Sequence, residues 1–294
     1  MMIRSVYRLT HGVKGLLPLL LLSLLPARLA AQVTYQSADS ITVCHLLKQA
    51  PRQASTLWFA RHFLGVPYLA HTLEVNPVEQ LVVNTRELDC TTFVETVVAL
   101  TLCAERHQQS WSDFLAMLQR LRYRGGVLKG YTSRLHYFTD WIDDKQHMSL
   151  VKEIQEPRPL FKAEQRIQLN YMSRHPSAYQ ALVAHPEWVS VIRQQEQALS
   201  GRTYRYIPKA SLGDSPLLRK TIHDGDIIAI TCNKPGLDIA HLGFAVWQSD
   251  GLHLLNASMM RKKVVVEPMT LQQYLKKHPS HTGVRIIRIT QKEK

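Results

Sequence analysis

The sequence has few cysteines and lacks the short motifs that mark most metal and nucleotide sites. Its 294 residues include four cysteines, and no two of them are spaced as Cys-x-x-Cys. Four cysteines are too few for a disulfide-dense scaffold in a chain of this length. No His-Glu-x-x-His spacing or cysteine–histidine cluster indicates zinc, and no glycine-rich stretch matches a phosphate-binding loop. We therefore expect neither a metal ion nor another cofactor.

Nucleic-acid binding is not expected either, although the chain is strongly basic. The formal net charge is +13, but the 36 Lys and Arg residues are spread along the chain rather than clustered. Zinc-finger spacing, an RNA-binding aromatic motif and a long basic tail are all missing. A charge of this size suits an anionic polymer such as cell wall, or an anionic membrane surface. An apolar content of 45% is ordinary for a globular protein with a real core.

Long apolar runs are missing except near the N-terminus. Arg4, Arg8 and Lys14 precede the apolar run 15–25, and small residues follow up to Ala31. A charged segment, a short apolar segment and a small-residue cleavage site are typical of a secretory signal peptide, here cut after Ala31. The run is short for a helix that spans a bilayer, which makes an uncleaved anchor the alternative.

We therefore expect residues 1–31 to be a signal peptide and residues 32–294 to be exported as a single domain. The exported chain is expected to be periplasmic or secreted, monomeric, and without stable insertion in a membrane. In an oxidising compartment, Cys103 and Cys232 are the two candidate disulfide partners of Cys44. The sequence leaves that pairing open.

Helical patterns dominate the first two thirds of the chain. Apolar residues recur at three- and four-residue spacing over 41–64, 93–102 and 110–122, which predicts helices. The region 148–202 contains four prolines and mixes extended pieces with helices. We expect about 106–215 to form a largely helical insertion that packs on the core.

Strand patterns dominate the last third of the chain. Apolar runs bounded by turn residues predict strands at 226–232, 241–247, 252–256, 263–266 and 284–289. The tripeptide Ser249-Asp250-Gly251 predicts a tight hairpin turn between two of them. Helices followed by strands favour an α+β fold over alternating βαβ units.

Cys90 lies at the predicted start of a buried helix. Thr91 and Thr92 occupy the first turn, and apolar residues at helical spacing follow up to Leu102. A thiol in this position faces unpaired backbone N–H groups and the positive end of the helix dipole, which both favour the thiolate. The alternative is a structural cysteine that is simply part of the core.

His241 and Asn256 are candidates for a base and for the group that orients it. His241 opens a strand and shares one face of it with Gly243 and Ala245, which leave room beside the imidazole. The hairpin returns Asn256 towards the same place. An amide oxygen there accepts from one ring N–H and directs the other nitrogen towards a thiol. A satisfied strand histidine and a turn asparagine remain the alternative.

Four motifs occur in a fixed order along the chain. They are Gly65-Val66-Pro67-Tyr68, Asp89-Cys90, His241-Leu242-Gly243 and Asn256-Ala257-Ser258. This order resembles the NlpC-type papain-like cell-wall hydrolases. The segments 72–74, 89–95, 133–141 and 236–243 make the chain more similar to the secreted N-acetylmuramoyl-L-alanine amidase-like branch of that superfamily.

The resemblance implies a papain-like α+β fold and particular roles for residues. Cys90 would be the nucleophile, His241 the general base and acid, and Asn256 the orienting group, where many superfamily members have His. Tyr68 would help the Cys90 backbone N–H to stabilise an oxyanion. Further residues that match the branch would shape the substrate site or form structural hydrogen bonds: Asp89, Arg134, His136, Tyr137 and Asp238. Arg134 is the candidate for binding a peptide carboxylate.

The reaction implied by the resemblance is amide hydrolysis in bacterial peptidoglycan fragments (muropeptides). The expected scissile bond joins L-alanine to N-acetylmuramic acid, in its ordinary or its anhydro form. One alternative is a peptidase that cuts between D-glutamate and the diamino acid of the stem peptide. A second alternative is a cell-wall binding module that keeps the fold without catalysis.

Overall fold

The structure, a computed structural model, describes residues 33–290, so the predicted signal peptide at 1–31 lies outside the described residues. Within this range the helices are α1 (Ser37–Gln49), α2 (Thr56–Arg61), α3 (Cys90–Glu105), α4 (Trp111–Arg122), α5 (Phe138–His147), α6 (Tyr171–Arg174), α7 (Gln180–Ala184), α8 (Trp188–Leu199), α9 (Pro216–Thr221) and α10 (Leu271–Lys276). None of these helices is long and apolar enough to cross a bilayer.

The strands form one large antiparallel sheet and one small parallel pair. In chain order they are β1 (Val33–Thr34), β2 (Leu81–Val82), β3 (Val151–Ile154), β4 (Ala163–Arg166), β5 (Thr203–Pro208), β6 (Ile227–Cys232), β7 (Ile239–Gln248), β8 (Gly251–Ser258), β9 (Lys263–Val266) and β10 (His281–Ile289). The large sheet has the order β4-β5-β10-β6-β7-β8-β9, and β3 also pairs with β10. Helices followed by an antiparallel sheet confirm the α+β class.

Helix α3 is the central helix of the main core, and its bounds agree with the sequence prediction. Asp89 caps its N-terminus, because the Asp89 carboxylate accepts a hydrogen bond of 2.7 Å from the Thr92 backbone N–H. Phe93 packs edge-on against Phe244 of β7, with ring centroids 5.5 Å apart. On another side, Glu95 forms a buried ion pair of 2.7 Å with Arg122 of α4. The helix is therefore held between the sheet and α4, which fixes the position of its first residue, Cys90.

The predicted insertion contributes strands as well as helices. The region 106–215 includes helices α4 to α8, as the sequence indicates, but it also contains β3, β4 and β5, which join the large sheet. Two of these strands, β3 and β5, pair with β10, more than 70 residues further along the chain. These strands have four to six residues each, and their partners are distant, so local periodicity carried little signal for them.

All four cysteines lie in the described range, and all four are free thiols. Cys103 and Cys232 are buried, while Cys44 and Cys90 are half-buried.

Candidate active site

Cys90 is the first residue of helix α3 and lines a cleft of about 230 Å³. The Thr91 hydroxyl and the backbone N–H groups of Leu242 and Thr91 lie near the Cys90 sulfur and act to lower its pKa. Leu242 follows His241 in β7, so this contact ties the thiol to the strand that carries the histidine. The cleft is lined by Cys90, Thr91, Leu135, His136, Tyr137, Phe138, Met172, Tyr179, Leu237, Asp238, Ile239, Ala240, His241 and Leu242.

The surroundings of the Cys90 sulfur favour the protonated thiol. Burial, and to a smaller extent the Asp89 charge, raise the pKa of Cys90 to about 12, and the hydrogen bonds from Thr91 and Leu242 only partly offset this. The expected thiolate at the helix start is therefore not the resting form. A helix terminus contributes about 0.3–1 kcal/mol, whereas desolvation of a buried charge costs more than that.

His241 and Asn256 are joined across neighbouring strands. The distance between His241 Nε2 and Asn256 Oδ1 is 2.9 Å. The amide nitrogen of Asn256 faces the Leu254 carbonyl and the Glu267 carboxylate, at 3.4 Å from each. Both of these groups are acceptors, so the amide oxygen is on the side of His241. Nε2 of neutral His241 is therefore the N–H donor, and Nδ1 is the nitrogen with a free lone pair.

Burial lowers the pKa of His241, and the hydrogen bond to Asn256 and the charge of Glu267 offset this only in part. Burial thus moves the histidine and the thiol in directions that both favour the neutral pair.

Two irregularities of β7 bring the histidine and the asparagine together. Ile230 pairs with His241 but Thr231 pairs with Ile239, so Ala240 is a bulge directly before the histidine. At Gly243 a Cβ atom would lie 2.7 Å from the Leu255 carbonyl oxygen. Glycine is required here because β7 and β8 approach closely. The predicted room beside the imidazole is thus filled by the backbone of β8.

Tyr68 lies on a loop that is held next to the start of α3 by backbone hydrogen bonds. Its backbone N–H donates to the Lys262 carbonyl at 2.9 Å, and the next residue, Leu69, donates to the Leu88 carbonyl at 3.2 Å. Burial, followed by the charges of Cys90 and Asp89, raises the pKa of Tyr68 to about 12. Its hydroxyl is therefore a neutral hydrogen-bond donor near the thiol.

Two acidic residues of the predicted site, Asp89 and Asp238, accept hydrogen bonds from backbone N–H groups. Asp89 caps α3, as described above. Asp238 is buried, and its carboxylate accepts a 2.8 Å hydrogen bond from the Thr139 backbone N–H in the first turn of α5. This bond ties α5 to the segment that leads into His241.

His136 and Tyr137 both line the cleft. His136 Nε2 is 3.1 Å from the Tyr131 carbonyl, and burial lowers the pKa of His136 to about 3, so the ring is neutral and presents Nδ1 as an acceptor. The Tyr137 hydroxyl donates to Glu196 at 2.7 Å and accepts from the Met172 backbone N–H at 3.1 Å. Tyr137 therefore holds α6 and α8 against the wall of the cleft.

Arg134 is not among the residues that line this cleft. It lines a neighbouring cavity of about 290 Å³, where it is buried and lies 3.7 Å from Glu74 and 3.4 Å from Glu79. Its guanidinium also stacks over the Tyr131 ring at 4.8 Å. Arg134 thus lines the neighbouring cavity and is surrounded by carboxylates of the chain itself, while its charge also acts on His136, which lines the cleft.

Several residues of the site were missed by sequence reasoning. Thr91 and Leu242 contact the sulfur, Met172 and Tyr179 form a wall of the cleft, and Glu267 contacts Asn256. Thr91 and Leu242 are neighbours of residues that the motifs did identify. The other three lie on elements whose place beside the cleft depends on long-range packing, so no local pattern marks them.

Comparisons with known proteins place the chain in a family of amidase-like hydrolases. The AmiA-like family, described as N-acetylmuramoyl-L-alanine amidase-like, matches residues 58–284. The chain belongs to this family, and the family implies a peptidoglycan substrate. No curated protein sequence matches the chain.

Six chains of solved structures match this chain, and three of them illustrate the range of similarity. An N-acetylmuramoyl-L-alanine amidase from Bacteroides uniformis ATCC 8492 has 43% identity and a TM-score of 0.75, over 80% of this chain and 98% of that one. A Bacteroides fragilis protein that carries a xylanase name has 43% identity and a TM-score of 0.74, over 79% of this chain and 99% of that one. A Legionella pneumophila protein shares the fold at 23% identity, with a TM-score of 0.66 over 86% of this chain and 94% of that one.

Proposed function

We propose that this chain is an exported cysteine amidase with a papain-like arrangement of Cys90, His241 and Asn256. Its substrate is a peptidoglycan fragment, and it hydrolyses the amide bond between L-alanine and N-acetylmuramic acid, in the ordinary or the anhydro form. The observation that carries the proposal is the 2.9 Å bond to Asn256 from His241, which lines the same cleft as Cys90. Periplasmic or secreted localisation rests on the N-terminal sequence pattern.

The first half of the reaction forms a thioester and releases the peptide. His241 Nδ1 takes the proton of the Cys90 thiol as the sulfur attacks the amide carbon. The Cys90 backbone N–H and the Tyr68 hydroxyl stabilise the oxyanion. The C–N bond then breaks, and His241 gives its proton to the leaving amine of L-alanine. Asn256 holds the ring so that Nδ1 stays on the side of the sulfur.

The second half returns the enzyme to its resting form. Water replaces the peptide, His241 Nδ1 removes a proton from it, and the water oxygen attacks the thioester carbon. The C–S bond breaks, and His241 returns the proton to the sulfur. The product is a muramic acid with a free lactyl carboxylate. The neutral resting pair of thiol and imidazole suits this cycle, because each proton moves in the same step as the bond it accompanies.

The test is the mass of the products from a defined disaccharide tetrapeptide incubated with purified protein. We expect free tetrapeptide and free disaccharide, and in ¹⁸O-water one label in the lactyl carboxylate. Products cut after D-glutamate would instead establish the endopeptidase alternative, and binding without any product would establish a binding module. Cys90→Ala should abolish product formation, whereas Cys44→Ser, at a half-buried cysteine outside the cleft lining, should retain it. Full activity in Cys90→Ala would overturn the mechanism.

The xylanase name of one relative suggests a glycosidase as a competing class. Glycoside hydrolysis generally requires two carboxyl groups that flank the scissile bond. Among the residues that line the cleft, Asp238 is the single carboxylate, and it is hydrogen-bonded to the α5 backbone. The composition of the cleft thus supports amide rather than glycoside hydrolysis.

A further inference from the structure

A buried carboxylate lies directly behind Asn256. The Asn256 amide nitrogen is 3.4 Å from Glu267 Oε1, and both side chains are at most 2% exposed. The other Glu267 oxygen is 3.5 Å from Nε of Arg261. Arg261 is half-exposed and lies in the turn between β8 and β9. His241, Asn256, Glu267 and Arg261 therefore form one row that runs from the cleft to the surface.

The backbone holds Glu267 firmly in this place. Asn256 pairs with Val265 in the register of β8 and β9, and Glu267, two residues further on, is on the same face as Val265. The Glu267 backbone N–H donates to the Leu254 carbonyl at 2.8 Å, and the Glu267 carbonyl lies 2.8 Å from Nδ1 of buried His253. These contacts fix the backbone N–H and the backbone carbonyl of Glu267, so its carboxylate is held beside the Asn256 side chain.

We propose that Glu267 is a positioning residue for the amidase reaction. It holds the Asn256 amide with its oxygen towards His241, and it supplies the negative charge that a neutral asparagine lacks. This inference rests on the proposed function, because it assigns Glu267 a role in supporting His241 as the base. Glu267 acts through Asn256 and contacts neither the thiol nor the cleft.

Two properties of the Glu267 carboxylate support this role, its hydrogen-bonding capacity and its charge. A buried carboxylate accepts hydrogen bonds but donates none, so a flipped Asn256 would set its oxygen against two acceptors, Glu267 and the Leu254 carbonyl. The second property is the negative charge of the carboxylate. When His241 takes the proton of Cys90, it becomes a buried imidazolium. The negative charge of Glu267, which is separated from His241 by the Asn256 side chain, stabilises that charged form.

Other charged groups also act on His241 and have to be separated from Glu267. Asp89, at the start of α3, favours the charged imidazole, whereas His278, just after α10, disfavours it. His281, on β10, is electrostatically coupled to His241 as well. Glu267 is distinguished from these groups because it also holds the amide through a direct contact.

The test compares Glu267→Gln with the control Glu164→Gln, an exposed carboxylate of β4 that pairs with Arg205. The pKa of His241 is followed by NMR, and kcat and KM for the muropeptide are followed against pH. We expect Glu267→Gln to lower the pKa of His241, to move the acidic limb of kcat/KM to lower pH, and to reduce kcat by about tenfold with little change in KM. Glu164→Gln should change none of these.

A folded Glu267→Gln protein in which the pKa of His241 is unmoved would overturn the inference, whatever its activity. If this variant does not fold, the wild-type protein still provides a test through the ¹⁵N shifts of the His241 ring. The proton of neutral His241 should be on Nε2, and a proton on Nδ1 would overturn the inference. Both NMR results are independent of turnover, so they remain decisive even if the Cys90→Ala experiment rejects the amidase mechanism.

Discussion

Arg285 and Glu153 form a bidentate ion pair in the interior of the protein, with N–O distances of 2.5 and 3.0 Å. Arg285 is on β10 and Glu153 on β3, so the pair joins two neighbouring strands of the large sheet, one of which lies in the predicted insertion 106–215. Arg285 also donates to the Thr139 hydroxyl at 2.7 Å, and the Thr139 backbone N–H donates to Asp238. A continuous set of hydrogen bonds thus leads from β3 to the segment before His241.

Removing one partner of this pair should destabilise the protein strongly. Glu153→Ala leaves the Arg285 charge buried without its carboxylate, which costs about 3–5 kcal/mol of unfolding free energy. Urea denaturation measures this loss. Asp214→Asn is the matched control because it breaks an exposed pair with Arg219, and its unfolding midpoint should stay that of wild type. A Glu153→Ala protein as stable as the control would contradict the buried pair.

The charge of Asp89 and its capping role can be separated by two substitutions. Asp89→Asn keeps an acceptor for the helix N-terminus, so stability should be retained, but it removes a charge that raises the pKa of Cys90. Alkylation of Cys90, followed by peptide mass spectrometry, should therefore begin at lower pH. Asp89→Ala should in addition lose about 1 kcal/mol of stability.

The control for the cap is Ser110→Ala, which removes the equivalent hydrogen bond at the start of α4. It should lose about as much stability, roughly 1 kcal/mol, without any change in the alkylation profile of Cys90. An Asp89→Asn profile identical to wild type would show that the Asp89 charge does not reach the thiol.

Gly243→Ala should separate the two strands that carry His241 and Asn256. The new methyl group would meet the Leu255 carbonyl oxygen at 2.7 Å and the Asn256 Cβ at 3.0 Å. Relief of this overlap requires β8 to move, with a loss of about 1–3 kcal/mol of stability and at least about tenfold in kcat/KM. Gly213→Ala is the control, since its Cβ would meet a flexible Gln272 side chain at 3.5 Å. Wild-type kinetics in Gly243→Ala would refute the requirement for glycine.

His281 should make the protein less stable as the pH falls. Burial, with the nearby charges of His278 and His241, lowers the pKa of His281 to about 4 in the folded state, against about 6.5 in the unfolded chain. Between these values the unfolded state binds the proton more readily, so unfolding free energy is lost as pH falls from 6.5 towards 4. Above pH 6.5 this contribution is fully present and constant.

His281→Gln should reduce the slope of unfolding free energy against pH by up to about 1.4 kcal/mol per pH unit, which corresponds to one proton bound on unfolding. Buried His136 acts in the same direction, with a pKa of about 3, so part of the slope should remain. Urea denaturation at a series of pH values measures the slope. His223→Gln, at an exposed position, should leave it unchanged. A slope that persists in full in His281→Gln would assign the effect to other groups.

The elements that sequence predicted well are those specified by neighbouring residues. Helix α3 begins at Cys90 and ends at Glu105, as its apolar spacing and first-turn threonines indicate. Strands β6 to β10 lie where their apolar runs predict, and the turn at 249–251 joins β7 to β8. Extended pieces were expected within 148–202, where β3 and β4 lie, but the pairing of β3 and β5 with β10 was not predicted, because it depends on residues far away in the chain.

The candidate site divides in the same way. The sequence by itself determined that Cys90 opens a helix, that His241 and Asn256 lie on consecutive strands, and that the motifs belong to an amidase-like family, because these features depend on short-range order. The tertiary structure decided that burial raises the pKa of Cys90, that the Glu267 carboxylate lies against the Asn256 amide, and that Arg134 lines another cavity. The physical reason is that desolvation and hydrogen-bond geometry depend on every group nearby, and distant segments supply most of those groups.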